Sequence, residues 1–383
     1  MTIFNIGIIG YGGFGKFLHT QWSLLDGVRV MAIAETRASK LPRSEDIKIF
    51  TDWRALLRDP EVQLIAIVTQ PDTHEEIAKA CMLAGKHVLI EKPLAIGLSA
   101  AQNILETRDQ TGMVAGVNFM MRFNPLLQTI REFTQNGVFG KLRRVDVENY
   151  AQSELLPPEH WFWNRNRSGG ILIEHAVHFI DLVHFIAPAA IVKVNGLKHD
   201  NNRQQEDQIM ANVVYEDGLM ATHYHAFTRP GFFETTKIKL AFDLADLELH
   251  GWIPLWGELT CLVNPLTKQM LQASPFFEIS QCTPIHKAQD ESRPSGWGDS
   301  DFPEPLTTTG VTSGGVVYDV QEIVVGKLNM GKSKQDVYAA CVQASVLDLL
   351  KKIENSSHAL TAPLEAGLKS LEVAVLATDS ARA

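Results

Sequence analysis

Two stretches of the chain hold ionisable side chains at spacings that could move a proton. The first is Gly85-Lys86-His87-Val88-Leu89-Ile90-Glu91-Lys92-Pro93, where an acid and a lysine follow an apolar run. A lysine at a strand's carboxyl end can stabilise negative charge developing on an oxygen. A Lys–Pro bond there also admits the cis form. Taken alone, Lys-Pro would read as a surface lysine after a strand. The second stretch is Ile171-Leu172-Ile173-Glu174-His175-Ala176-Val177-His178-Phe179-Ile180-Asp181. On a helix, Glu174, His178 and Asp181 fall at i, i+4 and i+7, within about 40° of one line. They form one polar stripe among Leu172, Ile173, Val177, Phe179 and Ile180. Buried ionisable groups are costly without a partner or a task, so the stripe reads as catalytic rather than as a solvated face. His175-x-x-His178 offers a rival reading as a metal-ligand pair, but His175 lies about 60° off the stripe, and no metal is expected.

These groups need a scaffold, and the N-terminus supplies its signature. The apolar run Ile3–Ile9 opens into Gly10, Tyr11, Gly12, Gly13, Phe14 and Gly15. In a G-x-G-x-x-G loop the first glycine makes the turn, the second admits a pyrophosphate and the third packs helix on strand. The following helix, from Gly13 to about Leu25, points its free N–H groups at that pyrophosphate. A second run, Val28–Ala34, ends in Glu35, 20 residues after Gly15. An acid there suits the two ribose hydroxyls of NAD and repels the 2′-phosphate of NADP. Arg37 and Lys40 could meet that phosphate, so NADP stays open.

Strand and helix patterns alternate up to about residue 120. Leu64–Val68, Lys86–Ile90 and Val114–Phe119 read as buried parallel strands. Thr73-x-x-Glu76 and Ser99-x-x-Gln102 read as capping boxes, and Gly85 and Gly112 as helix ends. The expectation is a Rossmann-type doubly wound parallel sheet over residues 1–121, with ligands at the strands' carboxyl ends. Residues 122–383 read as an α+β domain. Asn124-Pro125 starts a helix, and strands follow at Leu142–Tyr150, Ile191–Leu197, Ile209–Tyr215, Leu219–Phe227, Thr236–Phe242 and Leu247–His250. Glu216-Asp217-Gly218 makes a hairpin turn. Their pattern predicts a large, mostly antiparallel open sheet. Ser274–Gly315 reads as a long surface loop, and two amphipathic helices, about Lys334–Ile353 and Pro363–Arg382, are expected to pack back on the first domain.

Composition narrows the class. A net charge of −9 disfavours nucleic acid and anionic membranes as partners. The four cysteines (Cys81, Cys261, Cys282, Cys341) include no C-x-x-C pair, which suits reduced thiols in a cytoplasmic protein. The N-terminus has no basic region of the kind that opens a signal peptide. The longest near-apolar stretch, Phe179–Val194, carries Asp181, His184 and Lys193. Glu159-His160-Trp161-Phe162-Trp163-Asn164-Arg165-Asn166-Arg167 is dense in aromatics and arginine, and aromatic faces can stack on sugar rings. His223 and His225 share a strand face and read as satisfied or solvated. His74, in the first turn after a strand, suits a cap or a cofactor contact.

Together these motifs resemble the glucose–fructose oxidoreductase/inositol dehydrogenase (Gfo/Idh/MocA) family over nearly the whole chain. The resemblance rests on Gly10–Gly15, Thr69-Gln70-Pro71 with His74, Glu91-Lys92-Pro93, Arg122 with Pro125, and Gly169-Gly170-x-Leu172-x-Glu174-x-x-x-His178-x-x-Asp181. It departs at Glu174, where the family usually has Asp, and at Ala176, where it has Gly. The resemblance implies hydride transfer between NAD(P) and a secondary alcohol or ketone of a sugar, polyol or related small molecule. It implies cofactor contacts from the glycine loop, Glu35, Thr69, Gln70, Pro71, His74, Glu91, Lys92 and Arg122. His178 would act as general acid/base, Lys92 would steady the oxygen, and Glu174 would orient the substrate or Lys92. Asp181 would contact substrate or hold the ring tautomer of His178. Trp161, Trp163, Arg165, Arg167, Tyr224 and His225 are candidate pocket residues, and the arginines would suit an acidic or phosphorylated sugar if they face the pocket. A glycoside-cleaving enzyme that oxidises its sugar transiently, or a non-catalytic NAD-dependent sensor, would use the same residues. A homo-oligomer, dimer or tetramer, through the large sheet is expected.

Overall fold

The computed structural model describes residues 3–41, 46–285 and 310–383 of the chain. Its first sheet has six parallel strands: β1 (Phe4–Ile9), β2 (Val28–Ala34), β3 (Lys48–Phe50), β4 (Leu64–Ile67), β5 (His87–Ile90) and β6 (Ala115–Val117). Their order is β3-β2-β1-β4-β5-β6. Every residue of β4 is buried, which is why Leu64-Ile65-Ala66-Ile67 is apolar throughout rather than alternating. The order reverses beside β1, so a crevice opens between β1 and β4. The carboxyl ends of β1, β2, β4, β5 and β6 run directly into Gly10, Glu35, Val68, Glu91 and Asn118.

The helices behind this sheet lack the expected capping boxes. Thr73 does hold the N-cap position of helix His74–Leu83, but its side chain makes no capping bond: a 3-10 turn at Pro71–Thr73 comes first, and the Thr73 hydroxyl donates to the Gln70 carbonyl. Ser99 lies inside helix Leu98–Thr111, whose N-cap is Gly97. Gly112 ends that helix with φ +67°.

Asn124 opens the second half, its Oδ1 accepting the Leu126 N–H at 2.9 Å ahead of helix Pro125–Gln135. Strands β7 (Leu142–Gln152), β8 (Ile191–Asp200), β9 (Glu206–Tyr215), β10 (Met220–Arg229), β11 (Thr235–Phe242), β12 (Ala245–His250), β13 (Trp256–Val263) and β14 (Phe277–Pro284) follow, then β15 (Val311–Ser313), β16 (Val316–Tyr318) and β17 (Glu322–Asn329). Nine of them form one sheet in the order β14-β17-β13-β12-β11-β7-β10-β9-β8, and β15 and β16 form a hairpin. Only the β7–β10 pair is parallel. Inward residues alternate with outward ones, as Ile209, Ala211, Val213 and Tyr215 show in β9.

The long loop expected at Ser274–Gly315 is therefore wrong at both ends. Phe277–Pro284 and Val311–Ser313 are strands, and 286–309 lie outside the described residues. Strand β14 is half-exposed along the sheet's edge, so it lacks the buried alternation that marks its neighbours.

Helix Val177–Ile186 crosses the inner face of the sheet with all ten residues buried. A helix buried on every side belongs in a core, and here it carries His178, Asp181 and His184 inside along with its apolar residues. The run Arg165–Ile186 is apolar and long enough to cross a membrane, but its apolar window is 89% buried within this fold. Helices Lys334–Glu354 and Leu364–Ser380 return to the first domain. Trp22 Nε1 donates to the Val342 carbonyl, and a Cβ on Gly367 would lie 2.8 Å from Val117 and 3.0 Å from Leu94. The last helix also presses on β8, where a Cβ on Gly196 would lie 1.9 Å from the Ala377 carbonyl oxygen.

Candidate active site

A cleft of about 910 Å³ runs along the carboxyl edge of the parallel sheet. Gly10, Gly12, Gly13, Phe14, Gly15, Glu35, Thr69, Gln70, Pro71, Glu91, Lys92, Trp161, Glu174 and His178 all line it. The glycine turn is tight because its backbone is crowded. Gly10 has φ +94°, and a Cβ on Gly15 would lie 2.3 Å from the Gly10 carbonyl oxygen. Gly13 in contrast faces open space, and Gly12 has only Lys40 Nζ within reach of a Cβ, at 4.0 Å. That is the cradle an approaching pyrophosphate needs, so these residues fit a dinucleotide.

At the β2 end, Glu35 Oε2 accepts the Tyr11 N–H and Oε1 accepts the Arg37 N–H, both at 3.0 Å. Arg37 Nε adds a contact at 3.1 Å. Burial acts to raise the Glu35 carboxyl, but these hydrogen bonds prevail and bring it down to about 2. Tyr11 contributes only its backbone here: its ring is buried and its hydroxyl bonds to His19 Nδ1 at 2.6 Å.

At the β5 end, the Lys92–Pro93 peptide is cis. Lys92 Nζ donates to the Glu174 carbonyl at 2.7 Å and to Glu174 Oε1 at 2.8 Å. Glu174 sits in a π-helical turn, Leu172–Ala176, a widened turn common at functional sites. Its start is fixed by the two glycines. Gly169 and Gly170 have φ +83° and +111°, and a Cβ on Gly170 would lie 3.0 Å from Glu206 Oε1, which accepts the Ile171 N–H. Burial pushes the Glu174 carboxyl up, but Lys92 above all more than offsets this, so it is lowered. Burial raises Glu91 to about 7, although Asn118 Nδ2 donates to it at 2.5 Å.

His178 reaches the same wall. Burial, with the charge of Lys92 adding to it, holds its pKa well below the usual 6.5. Nδ1 is buried without a hydrogen-bond partner among the described residues, which leaves Nε2 as the nitrogen toward the cleft. The Trp252 ring meets the His178 ring edge-on at 5.1 Å.

Several expected residues do not reach the cleft. Arg122 grips Asp181 through Nε (2.8 Å) and Nη2 (2.7 Å) and donates Nη1 to the Thr361 carbonyl, so Asp181 neither holds the His178 ring nor touches the cleft. His74 bonds the Pro93 carbonyl at 2.8 Å and the Thr69 carbonyl at 3.3 Å, joining two strand-end loops, and caps nothing. Trp163 packs edge-on against Phe162 and Phe227. Arg165 pairs with Glu206 and Asp200, while Arg167 donates to Gln70 Oε1. Tyr224 points outward to Gln208. His223 and His225 are neither solvated nor satisfied: both are fully buried on the inner face, their four ring nitrogens without partners among the described residues. The rival metal pair is split, since His175 Nε2 bonds Asn149 Oδ1.

The cleft also gains residues that no local motif announced. His160, Trp252, Tyr338, Asn118 and Met120 line it. His160 Nδ1 accepts the Phe162 N–H at 3.3 Å, leaving Nε2 as its donor. Only the aromatic density around Trp161 hinted at it.

Comparison with known proteins agrees with this arrangement. Residues 4–119 match the family model described as the oxidoreductase family with an NAD-binding Rossmann fold, and residues 127–240 match the GFO/IDH/MocA C-terminal domain. Myo-inositol 2-dehydrogenase of Thermotoga maritima is 26% identical over 50% of this chain and 57% of its own. 1,5-anhydro-D-fructose reductase of Ensifer adhaerens is 28% identical over 58% and 65%. The matches thus span less than two thirds of these relatives. Among solved structures, an oxidoreductase domain protein from Kribbella flavida shares the fold with a TM-score of 0.76 at 19% identity, covering 100% of this chain and 98% of that one.

Proposed function

Because the chain belongs to the GFO/IDH/MocA oxidoreductase family, with its NAD-binding Rossmann fold, we propose that it interconverts a secondary alcohol and a ketone on a sugar, cyclitol or related polyol. The observation that carries this reading is the convergence of Lys92, Glu174 and His178 on one wall of the cleft that the glycine turn opens. The bound nicotinamide would supply or take up the hydride. The glycine loop, Glu35, Thr69, Gln70, Pro71 and Glu91 would hold the dinucleotide.

In the oxidising direction His178 receives the hydroxyl proton at Nε2. An imidazole with a depressed pKa is neutral at pH 7 and ready to act as a base. Lys92 donates to the substrate oxygen and stabilises its growing negative charge in a site partly closed to water. Glu174 fixes the Lys92 ammonium through two acceptors, which removes the need to reorganise it during reaction.

The test is stopped-flow NAD(P)H formation at saturating polyol. His178→Asn and Lys92→Ala should each slow the chemical step by roughly 10²–10⁴-fold. A step within about threefold of wild type would refute the assignment. Glu35, ionised at neutral pH, supports NAD over NADP, and tighter binding of NADPH than NADH would contradict it. Assembly through the outer face of the nine-stranded sheet follows from its exposed apolar residues, among them Leu197 (61% exposed) and Trp256 (47%). Light scattering that returns a monomer at micromolar concentration would sink that part.

A further inference from the structure

Strand order decides which way a dinucleotide lies in this cleft. Glu35 follows β2 and the glycine turn follows β1, so the nicotinamide half runs the other way, across the ends of β4, β5 and the edge strand β6. Glu91 and Asn118 stand at the last two of these ends, each latched by its backbone. The Glu91 N–H donates to the Ile67 carbonyl at 3.0 Å, and the Asn118 N–H to the Ile90 carbonyl at 2.8 Å. Both residues line the cleft with Lys92. At pH 8 Glu91, raised to about 7 by burial, is ionised and only accepts, so it takes a hydrogen from Asn118 Nδ2 at 2.5 Å. That bond makes Asn118 Oδ1 a fixed acceptor. No donor reaches it among the described residues, although Asn118 is only 1% exposed. Among those residues, His178 is the one other cleft-lining side chain with a buried, unpartnered atom, and its place in the reaction is given above. A buried acceptor left alone is costly, so Asn118 points to a ligand that brings a donor.

We propose that Asn118 Oδ1 accepts an N–H of the nicotinamide carboxamide, and that the Glu91–Asn118 pair thereby sets the rotation of the ring beside Lys92 and His178. The carboxamide carries the N–H groups of the nicotinamide half and lies at the tip of the molecule, as β6 lies at the edge of the sheet. The ribose hydroxyls sit nearer the pyrophosphate, on the side of β4. Because Glu91 holds Nδ2, the Asn118 amide is turned before the cofactor arrives, and no reorganisation is needed to receive it.

This rests on the dinucleotide reading above, and calorimetry on the full chain at pH 8 separates the two. The ligands are NAD, 3-acetylpyridine adenine dinucleotide and ADP-ribose. The acetylpyridine analogue exchanges the carboxamide NH2 for a methyl group of similar size and keeps the net charge and every hydroxyl. It should bind about tenfold more weakly than NAD, because Asn118 Oδ1 is then left buried without a donor. Asn118→Ala should bring the two within about twofold of each other. ADP-ribose, which has no nicotinamide, should keep its Kd within twofold, which also shows that the variant is folded. Equal binding of NAD and the analogue by the unsubstituted chain overturns the proposal and leaves Asn118 to a ribose or substrate hydroxyl. A preference undiminished in Asn118→Ala overturns it as well. A chain that binds none of the three ligands overturns the dinucleotide reading together with the proposal. The expected preference without oxidation of any polyol counts against hydride transfer alone.

Discussion

Arg122 was expected at the cofactor, but it does not line the cleft and its side chain is given to Asp181 and Thr361, which makes a quantitative prediction. Its guanidinium holds Asp181 bidentately at 2.8 and 2.7 Å, with side-chain exposures of only 12% and 2%. Arg122→Met would strand the Asp181 carboxylate in the core. Removing one partner of a buried ion pair costs about 3–5 kcal/mol, a large share of a typical stability of about 5–15 kcal/mol. The Thr361 carbonyl would also lose its donor, at about 1 kcal/mol. In Arg122→Met/Asp181→Leu no charge is stranded, and only the carbonyl term and imperfect packing remain. The double variant should therefore recover about 2–4 kcal/mol relative to the single. Urea unfolding at pH 7.5, followed by far-UV circular dichroism and tryptophan fluorescence, measures the cycle, with calorimetry reporting NADH affinity. The double variant should bind NADH within about twofold of wild type, because neither side chain lines the cleft. A single variant within about 1 kcal/mol of wild type, or a double variant no more stable than the single, would refute the reasoning. A tenfold loss of NADH affinity in the double would return Arg122 to the cofactor.

Three further outcomes are expected. Gly15→Ala would force a Cβ to 2.3 Å from the Gly10 carbonyl oxygen, so NADH binding should fall below detection by fluorescence titration; retained affinity would show that the turn can relax. Burial lowers His178, so the base stays neutral to lower pH than a free imidazole, and kcat/KM for oxidation should hold level from pH 8 down to about 6.5; an acid limb centred above 6.5 contradicts this. Glu35 falls to about 2 in the fold from an ordinary 4.5, so its contribution is complete above about pH 4.5 and disappears as pH drops through 2. With Arg37 largely exposed and screened, Glu35→Gln should cost about 1–2 kcal/mol at pH 7, less than half of that at pH 3 and nearly nothing below pH 2, and a pH-independent difference in melting temperature would exclude this origin.

The parts legible in the sequence were those whose signal is contiguous. The glycine turn, Glu35 and Glu-Lys-Pro each follow a buried strand, and strand order then carries them to one edge. The polar stripe was half legible. Glu174 and His178 reach the cleft, but ideal helical spacing cannot reveal that Asp181 is claimed by Arg122, 59 residues earlier. Trp252 and Tyr338 come from distant elements with no motif of their own, so nothing local marked them. The capping boxes failed for two reasons: Thr73 sits at its N-cap but spends its hydroxyl on the Gln70 carbonyl of the preceding 3-10 turn, and Gly97 rather than Ser99 sets where the next helix begins.

Helix Leu364–Ser380 acts as a splint across the two halves. It fills against Leu94 and Val117 on one side and against Gly196 on the other, while the stretch before it caps β6 through the Val117 N–H to Ala362 carbonyl bond. The dinucleotide lobe is thus finished by residues encoded some 240 positions after its last strand. Grafting that lobe onto another protein would require transplanting 361–380 with it, and a nick in the segment ahead of Pro363 should loosen the grip between lobes without touching a single cleft residue.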